Sequence, residues 1–342
     1  MLQIGPHTVD TRVLLAPMSG ISDLPFRQAA QAAGCPYVVT EMVASEELTR
    51  ERPDVVLRAA MDDSEHLKVM QLAGREARWM AEGAKVAEAM GAEIIDINMG
   101  CPARKVTGLL SGSALMRDLD HAESLIRATV DAVSVPVTLK MRLGWDWQSL
   151  NAPELAQRAE AAGVKLLTVH GRTRCDFYKG TANWRAVREV KEATSLPLVV
   201  NGDIETVEHA REAMAQSGAD AVMVGRAATG RPWLPAAMDT ALRDGSEMVP
   251  PSFEERGRMA IEQYEKTVTL YREGHGQSPE LGEALGVRMA RKHLAALVDV
   301  TPEFPDEAKS RAKANLCSET DPAKVRAILE RLFGPARDKA AA

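Results

Sequence analysis

One of four cysteines, Cys101, lies between Gly100 and Pro102 with no histidine beside it in the chain. A cysteine nucleophile would need an adjacent base to hold it as thiolate. A free thiol titrates near ~8.5 and is mostly protonated at neutral pH, so this position suits a general acid better. Cysteine is also a common buried residue, and position alone leaves both roles open. Other chemistry-bearing residues recur at a regular place, just after short apolar runs: Pro17 and Met18, Glu41, Gln71, Asn98, Lys140 with Arg142, His170 with Arg172, Asn201-Gly202-Asp203, and Gly225-Arg226. Lys140 could offset negative charge building on a reduced ring, or sit in a solvated salt bridge. Gln71 and Asn98 both donate and accept, which suits the edge of a heterocycle, although either could equally tie down a loop.

Two of these stations carry glycine in a suggestive way. NGDI (201–204) and VGRAATGRP (224–232) let backbone N–H groups approach an anion closely, and each then enters a helical stretch. Unpaired N–H donors and a partial positive charge collect at a helix start. Arg226 adds a fixed cation able to pair with phosphate. Ordinary βα turns also favour glycine, so it is the joint position of the two loops that points to a phosphate-bearing ligand.

The elements that position these residues follow from periodicity. Eight apolar runs stand at 13–16, 37–40, 68–72, 94–98, 136–141, 165–170, 197–201 and 221–225. Most are nearly continuous in apolar residues, as strands covered on both faces are. Helical patterns separate them, for example at 77–90, 155–162 and 207–216. Eight β-then-α units predict a (β/α)₈ TIM barrel, whose active site lies at the C-terminal strand ends where the polar residues fall. A doubly wound sheet is the competing fold, but LLAPMSG does not match the G-x-G-x-x-G turn expected after its first strand. Residues 242–252 read as a linker, 253–335 as a smaller all-α helical-bundle domain, and 336–342 as a tail. The stretch 103–114 has the composition of a mobile cover.

Bulk properties exclude little. The 342 residues are 45% hydrophobic and 26% charged, as in ordinary globular chains. No apolar run is long enough to span a bilayer, and residues 1–12 do not read as a secretory signal. Cys35, Cys101, Cys175 and Cys317 show no metal-like spacing, so a reduced, cytoplasmic protein without structural metal is expected, with a monomer as the default. A net charge of −6 argues mildly against a nucleic-acid partner, but binding depends on a local basic patch.

The segments APMSGISDLPFR, INMGCPARKV, SGSALM, VTLKMRLGW, TVHGRTR, NGDI and VMVGRAATGRPW together resemble the bacterial tRNA-dihydrouridine synthases, B-type subfamily most closely, over residues 12–235, and more weakly to ARKH at 290–293. The resemblance implies bound FMN, NADPH or NADH as reductant, and reduction of the C5=C6 bond of uridine in the tRNA D-loop. Hydride would pass from flavin N5 to C6, and a proton from Cys101 to C5. Ala16, Pro17, Met18, Gln71, Lys140, His170, Asn201, Gly202, Asp203, Gly225 and Arg226 would hold FMN. Asn98, Arg142 and Arg172 are expected at the substrate, and Arg288, Arg291 and Lys292 form a candidate basic face for tRNA. An FMN barrel acting on a free pyrimidine, or an RNA-binding barrel without redox activity, are the rival readings; the basic helical tail argues against the first, and the Lys140, Cys101, Arg226 set against the second.

Overall fold

The computed structural model describes residues 1–103, 111–276 and 278–334. Residues 104–110, most of the stretch read as a cover, and the tail from 335 onward lie outside the described residues. In chain order the strands are β1 (Leu2–Ile4), β2 (His7–Val9), β3 (Val13–Leu15), β4 (Val43–Ala44), β5 (Val69–Ala73), β6 (Ile94–Met99), β7 (Val137–Arg142), β8 (Leu166–His170), β9 (Leu198–Asn201) and β10 (Ala221–Val224). The helices among and after them are α1 (Leu24–Ala32), α2 (Ser45–Thr49), α3 (Pro53–Arg58), α4 (Ala77–Ala89), α5 (Leu119–Val130), α6 (Ala152–Ala161), α7 (Arg188–Glu192), α8 (Val207–Ser217), α9 (Leu234–Asp244), α10 (Phe253–Gly274), α11 (Pro279–Val300), α12 (Asp306–Ser318) and α13 (Pro322–Phe333).

Strands β3 to β10 form one parallel sheet in the order β3-β10-β9-β8-β7-β6-β5-β4, the expected (β/α)₈ barrel. Side chains alternate across each strand. One set (Val13, Leu15, Ile95, Ile97, Leu139, Val169, Val200) packs outward under the helices. The other set (Leu14, Val69, Ile94, Leu166, Val199, Ala221) fills the lower barrel interior. Leu2, Ile4 and Val9 join this second cluster, so the β1–β2 hairpin caps the barrel on the side away from the strand C-termini. The hairpin had no expectation attached to it.

The second predicted strand is corrected by the structure. Residues 37–40 make only isolated backbone bonds, Leu15 N–H to Tyr37 O (3.1 Å) and Thr40 N–H to Val69 O (3.0 Å), and the strand itself is the short β4 further on. The Thr40 hydroxyl accepts from Gln71 N–H (3.0 Å), taking a bond that a ladder carbonyl would otherwise take. Burial still alternates, with Tyr37 and Val39 inward and Val38 outward, so the apolar run reported its packing correctly and its hydrogen bonding incorrectly.

The expected linker also begins later, because α9 continues to Asp244 and stops at Gly245, whose φ of +74° suits a left-handed helix end. Ser252 and Glu255 then form a reciprocal capping box that starts α10. Helices α10 to α13 pack around Tyr264, Val268, Leu294, Leu297, Leu316 and Leu329. Phe253, Phe304 and Phe333 add three mutual ring contacts with centroids 5.1–5.6 Å apart, each worth about 0.5–1.5 kcal/mol. Gly282 and Gly286, one turn apart on α11, let that helix lie directly against the α10 backbone at Tyr271 and Val268. Among the described residues no helix is long and apolar enough to cross a membrane.

Candidate active site

A cavity of about 540 Å³ opens at the C-terminal ends of the barrel strands. Ala16, Pro17, Met18, Gln71, Asn98, Cys101, Lys140, Arg142, His170, Asn201, Gly202, Asp203, Gly225 and Arg226 all line it. The strand register explains why. Asn98 pairs with Lys140, Arg142 with His170, and His170 with Asn201, so neighbouring strands deliver their last inward-facing residues at one height.

Cys101 is held by its backbone. Its N–H donates to Asn98 Oδ1 (3.0 Å), and its carbonyl accepts from the N–H and hydroxyl of Ser113 (3.1 and 2.9 Å). Arg142 Nε donates to the preceding carbonyl, Gly100 O, at 2.8 Å. Arg142 is buried and also donates to Thr173 O and Phe177 O, so its guanidinium ties the cysteine loop to the loop after β8. Burial lowers its pKa to about 10.

Lys140 donates to Asn201 Oδ1 (3.0 Å), and Asn201 in turn donates to Met223 O. Burial first, then the Arg142 charge, bring the Lys140 ammonium down to about 8, while Asp96 and Cys101 act in the opposite sense. His170 is driven well below its ordinary pKa by burial and by Arg142, Lys140, Arg172 and Arg226, so it is neutral at pH 7. Its Nε2 lies 3.4 Å from Arg172 Nη1, which can only donate. Nε2 is therefore assigned as the acceptor and Nδ1 as the protonated nitrogen.

The seventh and eighth loops turn tightly at the cavity rim. Gly202 has φ +117°, and a Cβ there would come within 2.5 Å of His170 Cδ2, so neither backbone nor space admits another residue without strain. Asp203 follows at φ +53°. Among the described residues, the backbone N–H groups of Gly202, Asp203, Gly225 and Arg226 meet no protein acceptor. Arg226 is exposed and reaches back to Asp203 Oδ1 at 3.2 Å.

Arg172 is corrected. It is 2% exposed and does not line the cavity. Its fork is spent on Asp203 (2.5 and 3.0 Å) and on the carbonyls of Lys179 and Gly180, because the chain after β8 folds back over it. It shapes Asp203 and the 179–182 loop. The expected basic face on α11 also divides. Arg288 and Lys292 are exposed one turn apart, whereas Arg291 turns inward and donates to Glu319 O (3.0 Å). Lys292 instead reaches the barrel, with Nζ 3.4 Å from Gly20 O. Next to it, buried His293 stacks on Phe26 at 4.8 Å, and burial lowers its pKa to about 4.

Two contributors carried little or no signal. Tyr178, on the loop after β8, lines the cavity with its ring 5.7 Å from the Arg142 and 5.3 Å from the Arg226 guanidinium carbons. Asp96 lies beneath the cavity, and its one clue was an acid inside an apolar strand two residues before Asn98, hence on the same face.

The arrangement brings a thiol, a cation, a neutral imidazole and two glycine turns, with backbone N–H groups unpaired among the described residues, around one cavity. A dihydrouridine synthase family model matches residues 14–332. The chain belongs to the dihydrouridine synthase family. It is 49% identical over 323 residues to a probable tRNA-dihydrouridine synthase of Rhizobium leguminosarum, covering 94% of this chain and 95% of that one. It is 40% identical to tRNA-dihydrouridine synthase B of Pseudomonas aeruginosa, covering 94% and 93%. In structure, this family member shares its fold with an old yellow enzyme homologue from Zymomonas mobilis (TM-score 0.53, 13% identity, 75% of this chain and 94% of that one).

Proposed function

We propose that this chain is an FMN-dependent tRNA-dihydrouridine synthase that reduces the C5=C6 bond of uridine in the tRNA D-loop with NAD(P)H as reductant. The observation that carries the reading is the convergence of Cys101, Lys140 and the 202–203/225–226 cradle on one cavity. The residues fit FMN: the cradle N–H groups and Arg226 suit its phosphate, Lys140 and Gln71 its ring edge, and Ala16, Pro17 and Met18 the cavity wall beside them.

FMN, when bound, would supply hydride chemistry at uracil C6, with NAD(P)H as the source of the electrons. Lys140 lowers the cost of negative charge at the ring edge, and its pKa of about 8 keeps it mostly cationic at neutral pH. His170, neutral and framed by cations, can hydrogen-bond without adding charge. Cys101 protonates uracil C5, a role that asks for a compact neutral acid at the cavity wall. Asn98, beside it, would meet the uracil edge through the Nδ2 hydrogen not given to Gln71. The base must leave its stack for C5 and C6 to reach the cavity. Arg288 and Lys292 would contact the tRNA backbone from α11.

The test is direct. The purified chain should carry a flavin absorbance band, and with NADPH it should convert uridine to dihydrouridine in unmodified tRNA, read by mass spectrometry of nuclease digests. A colourless protein that binds no added FMN would sink the proposal.

A further inference from the structure

Asp96 occupies an unusual place: a carboxylate 4% exposed inside the barrel, with no cation within 4.0 Å among the described residues. Neutral donors hold it instead. The Thr138 hydroxyl donates to Oδ1 at 2.6 Å, and Gln71 Nε2 donates to Oδ2 at 2.7 Å. Burial raises its pKa. Burying an acid without an ion pair is costly, and an apolar residue could fill the position as Ile94 does one step lower on the same face of β6.

We propose that Asp96 is a positioning residue for Cys101, acting through the side-chain amides of Gln71 and Asn98. This deepens the reading of Cys101 as the proton donor and rests on it. A side-chain amide can face either way unless its partners choose for it. Asp96 offers Gln71 an acceptor, so Gln71 turns its NH₂ downward and presents Oε1 to Asn98 Nδ2 (2.7 Å). Asn98 is then obliged to present Oδ1 to the loop, where it accepts from Gly100 N–H (3.2 Å) and Cys101 N–H (3.0 Å). The loop offers donors and the carboxylate offers an acceptor, so the row is polarised from both ends. Turning either amide over sets donor against donor or acceptor against acceptor. The row thus links the barrel interior to the backbone that carries the thiol.

The experiment uses the full chain and two readouts: steady-state kinetics on unmodified tRNA, and the rate at which iodoacetamide alkylates Cys101, followed by peptide mass spectrometry. Asp96→Leu removes the acceptor. Asp96→Asn keeps it, since its oxygen can meet Gln71 while its NH₂ donates to the Thr138 hydroxyl. For Asp96→Leu, kcat per bound flavin should fall by about 10²-fold, the scale of a small misplacement of a reacting group, and the alkylation rate should be clearly altered. Asp96→Asn should restore most of kcat and the wild-type alkylation rate. Wild-type behaviour of Asp96→Leu, or equal damage by both variants, would overturn the proposal. Should Asp96→Leu not fold, Asn98→Asp keeps both acceptors for the loop but sets an oxygen against Gln71 Oε1; an unaltered alkylation rate there overturns it equally. If the wild-type chain forms no dihydrouridine, the functional reading fails on its own, and alkylation still judges the row of amides.

Discussion

At the barrel mouth, Lys140, Arg142, His170 and Arg172 crowd together with most of their side-chain surface covered, whereas the helical bundle keeps Arg288 and Lys292 exposed and packs Phe253, Phe304 and Phe333 together. Polar atoms hold the first region together: the Asp96–Gln71–Asn98 row, the Arg142 fork on Gly100 and the Arg172 clamp on Asp203. The second is held by apolar contact and close glycine packing. Directional bonds fix atoms to tenths of an ångström, and this is what transferring a proton at a chosen carbon requires. A surface that grips a phosphate backbone needs charge in water more than fixed geometry. The two regions meet where Lys292 and His293 touch the loop at 20–21 and Gly230 presses on the α11 backbone at Leu297.

Three experiments probe that division. The largest effect is expected from Cys101→Ala: dihydrouridine formation should fall by roughly 10²–10⁴-fold, the usual worth of a general acid, while bound flavin and NADPH oxidation persist. Loss of flavin instead would make Cys101 structural. A smaller effect should follow Arg288→Ala. Filter-binding titrations at several salt concentrations should show weaker tRNA binding and a salt slope reduced by about 1, with flavin content untouched. A colourless Arg288→Ala protein would break the separation between chemistry and grip.

The smallest effect concerns the junction. Asp23 caps α1 through Phe26 N–H (3.2 Å), and burial raises its pKa to about 7. A carboxyl whose folded pKa is raised binds its proton more tightly when folded. Its favourable contribution is therefore complete below about pH 4 and is lost as pH rises toward 7. Asp23→Asn keeps the capping oxygen and removes the charge. Its melting temperature should exceed wild type by about 2–4 °C at pH 8, with the difference vanishing near pH 4. A gain that does not depend on pH would show that the charge is not the cause.

Much was legible from residue order. Apolar runs of four to six residues with a polar residue at the end announced both the barrel and the level of its mouth, since a strand buried on both faces admits polarity only where the cavity opens. The barrel residues expected at cofactor or substrate line the cavity except Arg172, and Glu41, grouped with them by position, is buried against Gly20 N–H instead. The failure at Arg172 is instructive, because His170 and Arg172 have the same parity along the chain, but β8 ends at His170 and the following loop closes over the arginine. Arg291 failed through tertiary contact: 288, 291 and 292 share one face of α11 about 100° wide, but Arg291, at the edge of that face, is drawn to Glu319 O where α12 ends.

Tyr178 lay outside any periodic element, so nothing in its neighbourhood foretold its place between Arg142 and Arg226. Asp96 could be recognised only as an acid in an apolar strand. Periodicity is a local property, and it sufficed for the strands, their inward faces and the chemistry at their ends. The direction in which a buried amide faces is set by partners 25 to 27 residues away. That choice, and with it the seat of Cys101, belongs to the closed barrel, because only closure brings those donors and acceptors within bonding distance and away from water.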